Sequence, residues 1–152
     1  MQATLYRPFR CAVSSVKFLA SEVLVKLSKI VFYVAGIWGV LVITPLYFMF
    51  DLIGRQDPPP ITHAGFYYGF VGVALAWQIA FLVIATNPIR FRPLMLPSIV
   101  EKFSYAIAVF VLVFQHRMRA TDLVFGVTDG ILGVLFVASW FLTPHQSQPA
   151  DR

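Results

Sequence analysis

Four long apolar runs dominate this chain and decide what it can fold into. A helix needs roughly 20 mostly apolar residues to cross a hydrocarbon core about 30 Å thick. Residues 30–50 reach that length between Lys29 and Asp51 with no charge inside, and residues 64–86 reach it before Asn87-Pro88. Residues 98–114 follow Pro97, with Ser98 placed to cap, and residues 122–143 follow Thr121-Asp122, either of which can cap, and stop before Pro144. None of the runs alternates with period 2. Because a backbone in lipid must satisfy its own hydrogen bonds, the expected fold class is all-α, a four-helix transmembrane bundle. Composition excludes a water-soluble globule: 59% of residues are hydrophobic and 12% charged, against about 45–50% apolar and about 25% charged in soluble domains.

Around the membrane domain (30–143) the sequence predicts an N-terminal cytoplasmic or interfacial helix (1–29) and a disordered tail (144–152). Between Cys11 and Lys29, Ser14, Ser15, Lys17, Ser21, Glu22, Lys26 and Ser28 fall on one half of the helical wheel, interrupted by Phe18 and Val25. Ala12, Val16, Leu19, Val23 and Leu27 fall on the other half. Such an amphipathic helix suits the headgroup region, with its lysines toward anionic lipid, or a neighbouring subunit. It does not read as a signal peptide, whose apolar core is about 7–15 residues long and precedes a small-residue cleavage site. Pro58-Pro59-Pro60 stiffens the outer loop.

Orientation follows from Lys and Arg. Arg7, Arg10, Lys17, Lys26, Lys29, Arg90, Arg92, Lys102 and Arg152 lie on one side and Arg55, Arg117 and Arg119 on the other, nine against three. The positive-inside rule then puts both termini in the cytoplasm, with Arg117 and Arg119 discordant. The net charge of +5 is thus a record of topology. No basic stripe of the kind that binds nucleic acid is present, so no nucleic-acid partner is expected.

Eight of the nine glycines fall within the predicted spans. Gly65, Gly69 and Gly72 in the second span, and Gly126, Gly130 and Gly133 in the fourth, repeat at the spacing that lets helices approach closely. These two faces are expected to meet, within one chain or across a homo-oligomer.

Ionisable groups inside a span are the strongest functional pointers, since each costs a few kcal/mol. Asp129 lies about two turns into the fourth span, roughly 10 Å deep. Glu101 and Lys102 lie about one turn into the third, where Lys102 can snorkel and Glu101 cannot. Estimated depths separate Asp129 from Glu101 by roughly 10–15 Å, which argues against a shared proton. Two candidate sites result. An outer ligand or proton site gathers Asp129, Tyr67, Tyr68, His63 and His116, with Asp129 alternatively in a structural pair with Arg117, Arg119 or a tyrosine. A cytoplasmic-side polar site gathers Gln78, Arg90, Arg92 and Glu101, where the arginines can hold a lipid phosphate, pair with Glu101 or serve as topology markers. Aromatics near span ends, including Tyr47 and Trp140, fit an interfacial belt.

The lone Cys11 excludes an internal disulfide and a four-cysteine metal site. No His-x-x-His or Glu-x-x-His spacing supports a metal or haem, and no Walker, dinucleotide, HExxH, GxSxG or CxxC motif occurs. No cofactor is expected.

The segments FYYGFVGVALAWQ (66–78), NPIRFRPLMLPSIVEK (87–102) and TDGILGVLF (128–136) resemble small uncharacterised four-span inner-membrane proteins of bacteria, similar in size and span number to the DoxX-like group. The resemblance implies a bacterial inner membrane and importance for Gln78, Arg90, Arg92, Glu101 and Asp129; it implies no reaction. The sequence therefore favours a non-enzymatic structural or accessory subunit embedded in lipid and packing through its glycine faces, alone or in a larger complex. Its rival is a small-molecule or lipid-binding membrane protein, a transporter or membrane enzyme, with an outer pocket around Asp129.

Overall fold

A computed structural model describes residues 6–56 and 60–145, with side chains from Leu19 onward, and all its regular structure is helical. Expectations for Pro58 and Pro59 of the proline run, for side chains preceding Leu19 and for the tail beyond residue 145 lie outside the described residues. Four helices are long and apolar enough to span a membrane, which makes this an integral membrane protein of the expected all-α class.

Helix α1 (Tyr6–Ile43) runs unbroken for 38 residues because neither Gly nor Pro occurs from Phe9 to Ala35. The expected boundary at Lys29 is absent: the N-terminal segment and the first span form one rod about 57 Å long. Pro45, which the span 30–50 was expected to accommodate, ends the α-helix instead. Lacking an N–H, it starts a 3-10 helix (Thr44–Phe48), followed by the short α2 (Phe50–Gln56). Helix α3 (Ala64–Thr86) stops before Asn87-Pro88, and the side chain of Asn87 accepts the Arg90 backbone N–H at 3.1 Å to tighten the loop.

Helix α4 (Arg92–Phe114) starts six residues before the expected Ser98. Pro93 sits in the first turn, where an N–H has no helical partner, and Pro97 forfeits a single bond. Ser98 is no cap; its hydroxyl donates back to the Leu94 carbonyl at 2.7 Å. At its other end α4 closes in a Schellman turn. The His116 N–H bonds to Val113 O at 3.0 Å and the Arg117 N–H to Leu112 O at 2.9 Å, with His116 left-handed at φ 56°. A 3-10 turn (Ala120–Asp122) leads into α5 (Leu123–Leu142). The expected cap there is also absent: Asp122 makes no capping bond, and its carboxylate faces Arg119 at 3.7 Å instead.

Helix α1 packs on α3 and α5, and α5 packs extensively on α4, whereas α3 and α4 touch sparsely. The bundle is therefore a ring left open between α3 and α4. At the end carrying the 87–91 loop, called proximal here, the ring is filled by Phe32, Phe81, Ile84, Met95 and Phe136. Phe32 stacks on Phe136 at 4.2 Å and Phe81 meets Phe136 edge-on at 4.9 Å. Thr143 donates to Ser28 at 3.1 Å, both buried, and sets the height of α1 against α5. The 22 residues of α1 before Ser28 thus extend about 33 Å past that level. Outward faces bearing Val34, Leu41, Val73, Ile107 and Val134 are exposed, an apolar surface suited to lipid.

Candidate functional site

The register between α4 and α5 builds the site. Buried Arg92, at the start of α4, donates through Nε and Nη2 to the Trp140 carbonyl at 3.2 and 3.0 Å and lies 3.8 Å over the Trp140 ring. Its Nη1 meets His145 Nε2 at 2.6 Å. From this clamp Lys102 is ten residues along α4 and Asp129 is eleven residues back along α5. At 1.5 Å per residue the two side chains arrive at the same height, about 15 Å from the clamp.

They meet there. The Lys102 ammonium lies 3.2 Å from each Asp129 oxygen and 3.3–3.4 Å from the Glu101 carboxylate. The Lys102 side chain is 5% exposed, Glu101 19% and Asp129 17%. The ammonium also sits 5.2 Å from the Phe81 ring centre. Oε2 of Glu101 is buried and, despite its contact with the ammonium, accepts no hydrogen bond. One cation thus faces two carboxylates in the middle of the membrane domain. Such a cluster is held by mutual attraction, because each ion alone in lipid costs several kcal/mol.

This cluster forms part of the wall of a cavity of about 810 Å³ in the distal half of the ring, where α3 and α4 part. Its walls are mainly apolar and aromatic, with Trp38, Phe70, Trp77, Tyr105 and Phe125, and its polar groups include Gln78, Ser104 and Thr128 beside the charged cluster. Phe70 and Tyr105 stack at 6.4 Å across the gap between α3 and α4. Size and chemistry match small-molecule sites, which are concave, largely apolar and furnished with a few polar groups.

The predicted outer site is taken apart by the fold. Asp129 turns to Lys102, while the other members stay near the distal rim and outside the cavity lining. Tyr67 donates to the Leu46 carbonyl at 2.7 Å and packs edge-on against Phe50 at 5.1 Å. Tyr68 stacks on Phe50 and Tyr47. Exposed His63 bonds Thr62 at 2.8 Å, and His116 serves the Schellman turn. The predicted cytoplasmic-side site also divides. Gln78 and Glu101 both line the cavity, but the Gln78 amide donates to Ala74 O at 3.0 Å. Arg92 belongs to the α4–α5 clamp, and Arg90 is exposed with its guanidinium 5.5 Å from the Phe91 ring.

The glycine faces do not meet within the chain. Gly126 packs on Val109 and Gly133 on Phe103 of α4, while Gly130 has Ala106 at ordinary contact. A Cβ at Gly65 or Gly69 would meet nothing within 4 Å, and one at Gly72 would lie 3.3 Å from the Tyr47 hydroxyl. The close approach of α1 and α3 depends instead on Gly36 and Gly39, whose missing Cβ atoms make room for Leu82 and Gln78.

Sequence reasoning missed Lys102 as the centre of the cluster, the Trp38 and Trp77 walls and the Gly36/Gly39 contact. The usable signal for Lys102 was charge balance: a cation and two acids inside apolar spans lower one another's cost only by meeting. The misplaced start of α4 hid it, by making Lys102 look shallow. Among the described residues no group of three or more His, Cys, Asp or Glu side chains is arranged to hold a metal ion. Comparison with protein-family models, curated proteins and solved structures finds no match to this chain.

Proposed function

We propose that this membrane protein binds a small, largely apolar molecule that enters from the lipid between α3 and α4. The observation that supports the reading is the cavity of about 810 Å³ with aromatic walls and a charged cluster in an otherwise apolar bundle. A subunit with a purely structural role has no need of the open space, and filling it would stabilise the fold. The pocket differs from the outer one offered as the rival reading of the sequence, since Asp129 pairs with Lys102 beside Glu101 rather than with His63, Tyr67 and Tyr68.

Native mass spectrometry of the full chain extracted in mild detergent tests this reading. A small molecule is expected to remain on the wild type and to be lost from Ala74→Phe, which fills the cavity from α3. A wild type that carries no molecule and gains stability from Ala74→Phe would refute it.

A second reading, assembly with further copies or subunits, draws on the open Gly65 and Gly69 face. The proposed setting is a bacterial inner membrane with both termini in the cytoplasm. With Lys102 assigned to the buried cluster, the sequence count of basic residues becomes eight against three. Fluorescent-protein fusions at either terminus check the orientation, since cytoplasmic fusions fluoresce.

A further inference from the structure

The charged cluster is one positive charge short. Glu101 and Asp129 bring two carboxylates to the cavity wall and Lys102 brings one ammonium. The other helices do not make up the difference: the cavity-lining residues of α1 and α3 include Trp38, Gly39, Trp77 and Gln78 but no charged group, and Tyr105 of α4 adds only a phenol. A net negative charge in a membrane interior is costly unless a further cation joins it. Aromatic rings line the cavity, and ring faces attract positive charge while the apolar wall accepts a hydrocarbon body.

We propose that the cavity takes a monovalent organic cation with an apolar body, and that a proton on the Glu101–Asp129 pair takes its place when the cation is absent. This deepens the small-molecule reading and rests on it. The exchange balances in charge: as the cation enters, the O–H bond of one carboxyl breaks, its electron pair stays on oxygen, and one proton leaves to water. Cation affinity therefore rises with pH, by up to about tenfold per unit while one proton is exchanged.

The experiment uses the full chain in lipid nanodiscs with two probes of similar shape, tetraphenylphosphonium and neutral triphenylphosphine oxide. Binding is read by tryptophan fluorescence, since Trp38 and Trp77 line the cavity. Proton release is read by a dye in weak buffer. The phosphonium is expected to bind more tightly than the oxide, by at least about tenfold, and to release a proton over the pH range in which its affinity rises. Asp129→Asn should abolish that preference. Because it also breaks the α4–α5 ion pair, Glu101→Gln is the decisive variant: it leaves Lys102 balanced against Asp129 alone. Glu101→Gln should bind both probes equally, with no proton released.

Equal binding of both probes by the wild type, or an unchanged phosphonium preference in Glu101→Gln, overturns the cation assignment and leaves the small-molecule reading standing. Failure of both probes to bind overturns both.

Discussion

Replacing Lys102 by methionine keeps most of the length of the side chain and removes the charge that holds α4 to α5. The ammonium has two kinds of partner, and they should differ in what they contribute. Glu101 is adjacent in sequence, so it stays beside Lys102 whenever α4 is helical, packed or not. Asp129 is 27 residues away on another helix, and both of its oxygens lie 3.2 Å from the ammonium only in the assembled bundle. Coulomb's law at about 3.5 Å and an effective dielectric near 20 gives roughly 5 kcal/mol for such a pair, before desolvation is subtracted. About half is expected to survive as coupling, since the lone ions would already be penalised in lipid.

A double-mutant cycle with Lys102→Met and Asp129→Asn should then give a coupling of about 2–3 kcal/mol, and the cycle with Lys102→Met and Glu101→Gln less than half of that. The measurement is reversible unfolding in detergent followed by circular dichroism. A Lys102–Asp129 coupling under about 0.5 kcal/mol, or a larger one for Lys102–Glu101, would refute the assignment of this ion pair as the tertiary fastening.

Gly39→Ala would push a methyl into the Gln78 side chain, so a loss of about 1–3 kcal/mol is expected in the same assay, largely restored by adding Gln78→Ala. Gly126→Ala places a Cβ 2.8 Å from Val109 and should destabilise the monomer, whereas Gly69→Leu meets open space and should leave it intact; any loss of oligomer in Gly69→Leu, seen by native mass spectrometry, would identify an interface between copies. His116→Gly should stabilise the protein by about 1 kcal/mol, because glycine adopts the left-handed turn at φ 56° without the strain of a Cβ. Arg92→Lys should behave as a disruptive change, losing about 1–3 kcal/mol, since lysine replaces neither the paired bonds to the Trp140 carbonyl nor the stacking on its ring.

The membrane domain was readable in the chain because burial in lipid imposes a requirement on each span separately. Length and apolarity over residues 64–86, for example, are local properties, and α3 occupies that range. Helix ends were readable only where one signal dominated, as at Asn87-Pro88. Near residue 97 two prolines and a serine competed, and the helix absorbed both prolines at its first turns, where missing N–H groups cost least. That shift of six residues moved Glu101 and Lys102 from one turn deep to nearly mid-helix.

The individual charges inside the spans, the glycine periodicities and the absence of familiar catalytic motifs are all properties of the chain taken alone. Which charges meet is not, because it depends on the height of α4 against α5, set at the Arg92–Trp140 clamp 48 residues apart in sequence. Nor is the cavity, which exists because α1 and α5 hold α3 and α4 apart. A span's presence is decided residue by residue through transfer from water to lipid. A site between spans is decided by interhelical register, and register belongs to pairs of helices rather than to any stretch of sequence.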